Sequence, residues 1–392
     1  MAEYDVIVVG AGIQGSGVAQ AAAAAGHRVL VLEQQHPAYG TSSRSSKLIH
    51  GGLRYLETGQ FHLVRESLHE RTLMLKNAPE LVTLKTFYIP LYRQTRRQPW
   101  QIRTGLSLYA MLGGFQTGCS FSSVKRSQWS QLDGLNTQGL HHVFRYYDAQ
   151  TDDALLTQTV LRSAIQLGAT LSVPARLEHA QLHSTGVAVT YIEHGQSQSV
   201  NAKVLINATG PWINHTLQCI TPTQPLPSID LVQGTHLILP GEITQGIYYV
   251  ESPRDGRAIF VMPWQGQTMI GTTETRYRGD PAAVRPLQAE INYLLQTLKL
   301  YFPAYGHYTA NEVAKSFAGL RVLPAGSGHA FRRPRETLFT TDNATRPRLL
   351  SILGGKLTGW RATAAKVMHR IEPSLPARRP VADTRYLRLK PE

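Results

Sequence analysis

Between Gly40 and Glu57 the chain reads GTSSRSSKLIHGGLRYLE. Glycine, threonine and serine let a backbone lie against a bulky ligand, and their hydroxyl and N–H groups can bind phosphate oxygens. Lys47, His50 and Arg54 add cationic or titratable groups a few residues further on. A solvated serine-rich loop has a similar composition, so position decides between the two. The stretch comes straight after a glycine fingerprint. Asp5-Val-Ile-Val-Val9 is an apolar run suited to a buried parallel strand, and it leads into Gly10-Ala-Gly12-Ile-Gln-Gly15. Val18 to Ala25 is helix-forming and ends at Gly26, and a second strand, Arg28 to Leu32, closes with Glu33. Gly10, Gly12 and Gly15 permit a tight turn and close approach of the backbone to a pyrophosphate at a helix N-terminus, and Glu33 would bind ribose hydroxyls. A lone G-x-G-x-x-G is weak, but strand, turn, helix, strand and acid in register specify a dinucleotide site. The acid disfavours a 2′-phosphate, which favours FAD or NAD over NADP.

Such a site needs a scaffold, and 392 residues exceed the size at which single cores usually split, so two domains are expected. A formal net charge of +14 points to anionic partners: a phosphorylated substrate, a nucleotide cofactor, an acidic membrane face or nucleic acid. The basic clusters lack aromatic interleaving and zinc-finger spacing, which argues against nucleic acid. Cys119 and Cys219 provide neither a disulfide framework nor a metal pattern, as in a reducing cytoplasm. No apolar run reaches spanning length, so membrane contact is expected to be peripheral, and no signal peptide is expected ahead of the first strand.

Gln60 to Ala78 reads as an amphipathic scaffold helix. Arg96 to Phe115, basic and then apolar, reads as a helix packed within the protein, with a membrane-facing helix as the alternative. Asp152 to Leu167 is a further helix, and three short strands follow it. Val204-Leu-Ile-Asn-Ala-Thr-Gly210-Pro-Trp212 is a strand ending in a small-residue turn, so Ala208 and Gly210 are candidates for a second contact to the dinucleotide. Alternating runs from Thr235 to Ile270, broken by Gly and Pro, suggest an antiparallel sheet. Leu349 to Leu353 leads into Gly354-Gly355-Lys356-Leu357-Thr358 and the last long helix, Trp360 to Ile371. A poorly ordered basic tail is expected beyond Glu372.

In these motifs the chain resembles the FAD-dependent glycerol-3-phosphate dehydrogenases of the glycine/D-amino acid oxidase superfamily. The resemblance covers about residues 4–371 and rests on VVGAGIQGSG, TSSRSSKLIHGGLRYLE, FHLVRESLHER, NATGPW, FVMPW, IGTTE, FAGLR and LGGKLT. It implies an α/β protein: a Rossmann-like FAD-binding domain (1–85, 145–215 and 316–372) with an interleaved antiparallel-sheet substrate domain (86–144 and 216–315), then the tail, 373–392. By position, Gly10, Gly12, Gly15 and Glu33 would bind the nucleotide half of FAD. Thr41, Ser42, Ser45, Ser46, Lys47 and Leu48 would line the flavin side, with Ala208, Gly210, Gly354, Gly355, Leu357 and Thr358 completing the cofactor site and no metal involved. The implied reaction is oxidation of sn-glycerol 3-phosphate to dihydroxyacetone phosphate, with hydride transfer to flavin N5 and electrons passed to quinone or another acceptor. Arg54, Arg321 and Arg335 match family positions that ring the substrate, with Tyr55 donating a hydroxyl. Lys356 and His50 are the candidate bases, and a lysine beside arginines would have its pKa lowered by like charge. The Gly354-Gly355 turn would aim a helix N-terminus at the reduced flavin.

Three departures stand out. The family's IGTTD is IGTTE here, its LGGKLTTYR is LGGKLTGWR with Gly359 in place of a threonine, and the sequence ends where long members begin a further helical domain. That leaves oligomeric state and acceptor docking open; a cytoplasmic location is expected, with peripheral contact on the cytoplasmic membrane as an extension of it. Two rival functions stay in view: a flavin oxidoreductase of amino or 2-hydroxy acids, and a FAD-binding protein without catalysis.

Overall fold

The computed structural model describes residues 2–114, 118–326 and 336–391. Two sheets organise them. In the nine-stranded sheet the order is Ile220–Thr221, Ala175–His183, Gly186–Glu193, Gln196–Asn207, Ala2–Val9, Val29–Leu32, Thr170–Ser172. Leu349–Leu353 pairs with the C-terminal half of Gln196–Asn207 and with Leu338–Thr341. Its centre is parallel, and Val6, Ile7 and Val8 are fully buried there. Helices Ile13–Ala24, Asp153–Gln166 and Trp360–Ile371 pack on it. Gly17 lets the first of these approach the last, because a Cβ there would come within 2.7 Å of the Trp360 ring.

The ten-stranded sheet runs Thr275–Tyr277, Ile229–Leu239, Gln267–Gly271, Ala258–Trp264, Ile247–Glu251, Val82–Tyr92, Leu140–Thr151, Leu48–Ile49. Lys315–Pro324 pairs with Ile229–Leu239 over its whole length, and Phe121–Ser123 pairs with Leu140–Thr151. The antiparallel sheet expected from Thr235 to Ile270 is therefore present but larger. By sheet membership, residues 48–49, 82–85, 145–151 and 316–324 go with the ten-stranded sheet and 220–221 with the nine-stranded one, each across the division expected for it. Helix Phe61–Asn77 lies where the sequence suggests.

The basic helix is Pro99–Leu112. It buries Ile102, Leu106, Tyr109 and Ala110 and leaves Trp100 and Met111 exposed; Phe115 lies outside the described residues. Among the described residues no helix is long and apolar enough to cross a membrane.

The C-terminal segment is not the loose tail its composition suggests. Arg378 pairs with the buried Asp5 carboxylate at 3.0 Å, the Val381 N–H donates to the Ala24 carbonyl, and Leu389 is buried. Ion pairing and one apolar anchor overcome the entropy of ordering a Pro- and Arg-rich end.

Candidate active site

A cleft of about 470 Å³ runs between the two sheets. Of the sequence-predicted residues, Gly10, Gly12, Glu33, Thr41, Ser42, Ser45, Ser46, Leu48, His50, Arg54, Tyr55, Ala208, Gly210, Arg321, Gly354, Gly355, Lys356, Leu357 and Thr358 all line it. Gly15 and Lys47 do not line it, and Arg335 lies outside the described residues.

At the nucleotide end, Gly10 has φ +100°, and a Cβ on it would come within 2.9 Å of the Ala208 carbonyl oxygen. Gly15 serves the same turn from below: a Cβ there would sit 1.9 Å from the Gly10 oxygen, so its role is close packing rather than ligand contact. The helix Ile13–Ala24 opens with no acidic residue in its first turn, which leaves its positive end to an anion. Glu33 is buried and accepts hydrogen bonds from the N–H groups of Ala11 and Gln35, both at 2.8 Å. Each carboxylate oxygen keeps capacity for a further donor. Ser42 Oγ accepts from the Ile13 N–H at 2.9 Å, and Thr41 Oγ1 donates to the Leu320 carbonyl at 2.7 Å, fastening the loop between the sheets. This cradle of a positive-φ glycine, a helix N-terminus, a buried acid and a hydroxyl loop fits FAD.

Lys47 behaves differently from its expectation. Its φ is +59°, rare for a residue with a side chain, and its ammonium turns away from the cleft. There it pairs with the buried Asp153 carboxylate and donates to the Ser43 carbonyl at 2.7 Å. Asp153 also accepts from the Ser45 N–H at 2.8 Å. Lys47 shapes the loop from within, and the residues lining the cleft are its neighbours.

The opposite end holds the cations. Lys356 Nζ lies 3.8 Å from the centre of the Tyr55 ring, and Arg54 stands 5.4 Å from it. Arg321 Nη2 donates to Thr272 Oγ1 at 3.3 Å. The Glu274 carboxylate lies 3.9 Å from Arg321 Nη1 and 3.1 Å from Arg257 Nη2, so one acid orients two guanidiniums. His50 is tied to the Gly355-side turn by its N–H, which donates to Thr358 Oγ1 at 3.2 Å. The last helix begins at Trp360, with Gly359 as its N-cap. The glycine pair thus reaches the cleft through its own turn (φ +75° and +106°) rather than as a helix N-terminus.

Three features escaped the sequence reading. Arg257 lines the cleft with no motif to mark it. His236 also lines it, stacked on Phe317 with ring centres 5.0 Å apart and its Nε2 at 2.9 Å from Ser46 Oγ. Burial, then the Arg321 and Lys47 charges, push its pKa down to about 3, so it is neutral at pH 7. The third is a buried group behind the loop. Arg71 and Asp148 form an ion pair, Tyr109 donates to Asp148 at 2.7 Å, and the Gly51 N–H donates to the Tyr109 hydroxyl at 2.8 Å. That holds the turn between His50 and Arg54. A strand register linking distant segments was the signal needed, and only Gly51-Gly52 hinted at it.

Among the described residues no group of three or more His, Cys, Asp or Glu could hold a metal ion. Residues 5–361 match the family described as FAD dependent oxidoreductase, DAO. A glycerol-3-phosphate dehydrogenase of Pseudomonas aeruginosa is 37% identical over 377 residues, covering 94% of this chain and 72% of that protein. A D-erythritol 1-phosphate dehydrogenase of Brucella abortus is 34% identical over 379 residues, with coverage of 95% and 74%. The solved glycerol-3-phosphate dehydrogenase from Bacillus halodurans complexed with FAD matches with a TM-score of 0.75 at 26% identity, over 99% of this chain and 68% of that one.

Proposed function

The chain belongs to the DAO family of FAD dependent oxidoreductases, and from that premise we propose that it oxidises sn-glycerol 3-phosphate to dihydroxyacetone phosphate. The observation that carries the reading is the number of cations at one end of the FAD cleft: Arg54, Arg257, Arg321 and Lys356. A carboxylate is satisfied by one guanidinium fork, whereas a phosphate dianion needs more than one cation. This favours a phosphorylated alcohol over an amino or 2-hydroxy acid, and the names of the Pseudomonas and Bacillus relatives favour it too.

Bound FAD supplies the two-electron acceptor for the hydride of the carbinol carbon. Arg54 and Arg321 hold the phosphate, with the Tyr55 hydroxyl donating beside them; Arg335, from its sequence position, is proposed to join them. Lys356 or His50 takes the hydroxyl proton. Position favours Lys356, whose ammonium stands over the Tyr55 ring beside Arg54. Neutral His236 adds a hydrogen-bonding group without adding charge. Glu274 keeps Arg257 and Arg321 aimed into the cleft. Electrons then leave to quinone or another acceptor, and peripheral docking on an anionic membrane is supported by exposed Trp100 and Met111 on the helix that also carries Arg103.

The test is turnover with an artificial acceptor across sn-glycerol 3-phosphate, glycine, D-alanine and D-lactate. Oxidation of the phosphate alone is expected. Preference for any carboxylate substrate refutes the reading.

A further inference from the structure

We propose that Glu290 is a positioning residue for phosphate binding: from behind the sheet it fixes the turn whose side chains aim Arg321 and Arg257 into the cleft. The proposal rests on the phosphate reading above. Glu290 stands in the first turn of the helix Gln288–Tyr301 and is buried. One carboxylate oxygen accepts from the hydroxyls of Thr273 and Thr275, both at 2.7 Å. The other accepts from Thr235 Oγ1 at 2.7 Å, Gln233 Nε2 at 2.6 Å and the Leu287 N–H at 3.1 Å. The Leu287 contact caps the helix, an ordinary task for a glutamate at this position. The other four contacts reach the ten-stranded sheet and its connecting turn, and capping does not call for them.

Those four partners alternate with residues of the site. Gln233 and Thr235 flank Gly234, and Thr273 and Thr275 flank Glu274, while Gly234, His236 and Thr272 line the cleft. Successive side chains of an extended chain point to opposite sides. One carboxylate thus grips two segments from behind while the residues between its partners face the cation end. The seat it holds is narrow. A Cβ on Gly234 would come within 2.5 Å of Thr272 Oγ1 and 2.9 Å of Arg321 Nη2. The Arg321 guanidinium therefore lies against Gly234 beside the turn that bears Thr272 and Glu274. Parting that turn from the strand Ile229–Leu239 would shift both contacts of Arg321 together with the Glu274 contact of Arg257.

A carboxylate suits this post better than an amide. All five partners donate, and a carboxylate accepts on both oxygens, whereas a glutamine has one acceptor and turns an NH2 group toward the remaining donors. Burial pushes the Glu290 pKa up, but the Thr235, Thr275 and Thr273 hydroxyls outweigh it and hold the group below the usual glutamate value. None of the five partners is a cation, and a buried charge held by neutral donors alone is costly. Alignment of the turn is what that charge secures.

The test compares Glu290→Gln with the unmutated FAD-loaded protein, reading KM and kcat for sn-glycerol 3-phosphate alongside FAD content. KM should rise about fivefold or more, as for partial loss of hydrogen bonds to a charged group. The kcat should stay within about threefold, because the phosphate is anchored away from the hydride. In an Arg321→Ala background the same change should raise KM about twofold or less, since the guanidinium seated at the turn is gone. A smaller rise in KM, an equal rise in both backgrounds, or a fall in kcat and FAD content at unchanged KM overturns the proposal, while turnover by the unmutated protein keeps the parent reading. No turnover of sn-glycerol 3-phosphate by the unmutated protein overturns both. Should Glu290→Gln not fold, Thr275→Val decides, because it keeps the carboxylate and removes one hydroxyl beside Glu274. A KM rise of about twofold or more that disappears in the Arg321→Ala background is expected, and a smaller one overturns the proposal.

Discussion

Arg321→Ala removes a guanidinium that projects from the strand Lys315–Pro324 and is 24% exposed. Glu274 stays paired with Arg257 at 3.1 Å when it is lost. The loss falls on a bound phosphate. Truncating one partner of a buried charge contact costs about 2–5 kcal/mol. Partial exposure, with Arg54, Arg257 and Lys356 remaining nearby, sets the lower half of that range. About 2–3 kcal/mol corresponds to roughly a 30- to 160-fold fall in kcat/KM. Arg321→Lys should recover part of it, because a point charge cannot reproduce a bidentate fork. The assay is the anaerobic rate of flavin bleaching at varied glycerol 3-phosphate, with FAD released by heat measured for each variant. A kcat/KM within threefold of the unmutated protein at full FAD content refutes the phosphate-cage argument.

Lys47→Met strands the Asp153 carboxylate, and breaking one side of a buried pair costs about 3–5 kcal/mol; a lower urea midpoint with weaker FAD retention is expected, and an unchanged midpoint contradicts it. Asp148→Asn leaves Arg71 charged and unpaired behind the Gly51 turn, so stability falls by about 3 kcal/mol. The double change Arg71→Met, Asp148→Leu should recover part of that loss, which a double-mutant cycle measures. His236 gives a pH signature. It titrates at 6.5 when unfolded and at about 3 when folded, so the unfolded chain binds more protons between those values. Its contribution is complete above about 6.5 and lost progressively as pH falls toward 3. His236→Gln should flatten denaturation midpoints over that window, and an unaltered slope excludes it.

Local motifs made the nucleotide half of the site legible. Gly10, Gly12, Gly15 and Glu33 lie within one strand–helix–strand unit whose geometry is set by nearest neighbours. The Gly40–Glu57 loop was legible in composition, and all but one of the predicted cofactor residues from Thr41 to Leu48 reach the cleft. Lys47 was misread because its partner, Asp153, is remote in sequence, and a buried ion pair outweighs a lysine's preference for solvent. Arg257 and His236 were illegible for a related reason. They reach one cleft only when Ile229–Leu239 and Ala258–Trp264 both pair with Gln267–Gly271. The strand Val82–Tyr92 was hidden by Pro90, which sits within it opposite Val143, and Leu140–Thr151 by its remoteness from that partner. The ordered C-terminus depends on Arg378 finding Asp5 and on the burial of Leu389, which no periodicity reveals.

The central claim is that one end of a FAD cleft receives a polyol phosphate and oxidises its carbinol. Anaerobic mixing of the purified yellow protein with a stoichiometric amount of sn-glycerol 3-phosphate tests it most directly. Full bleaching of the flavin absorbance with an equal yield of dihydroxyacetone phosphate is the predicted result. Flavin that stays oxidised at saturating substrate would contradict the account.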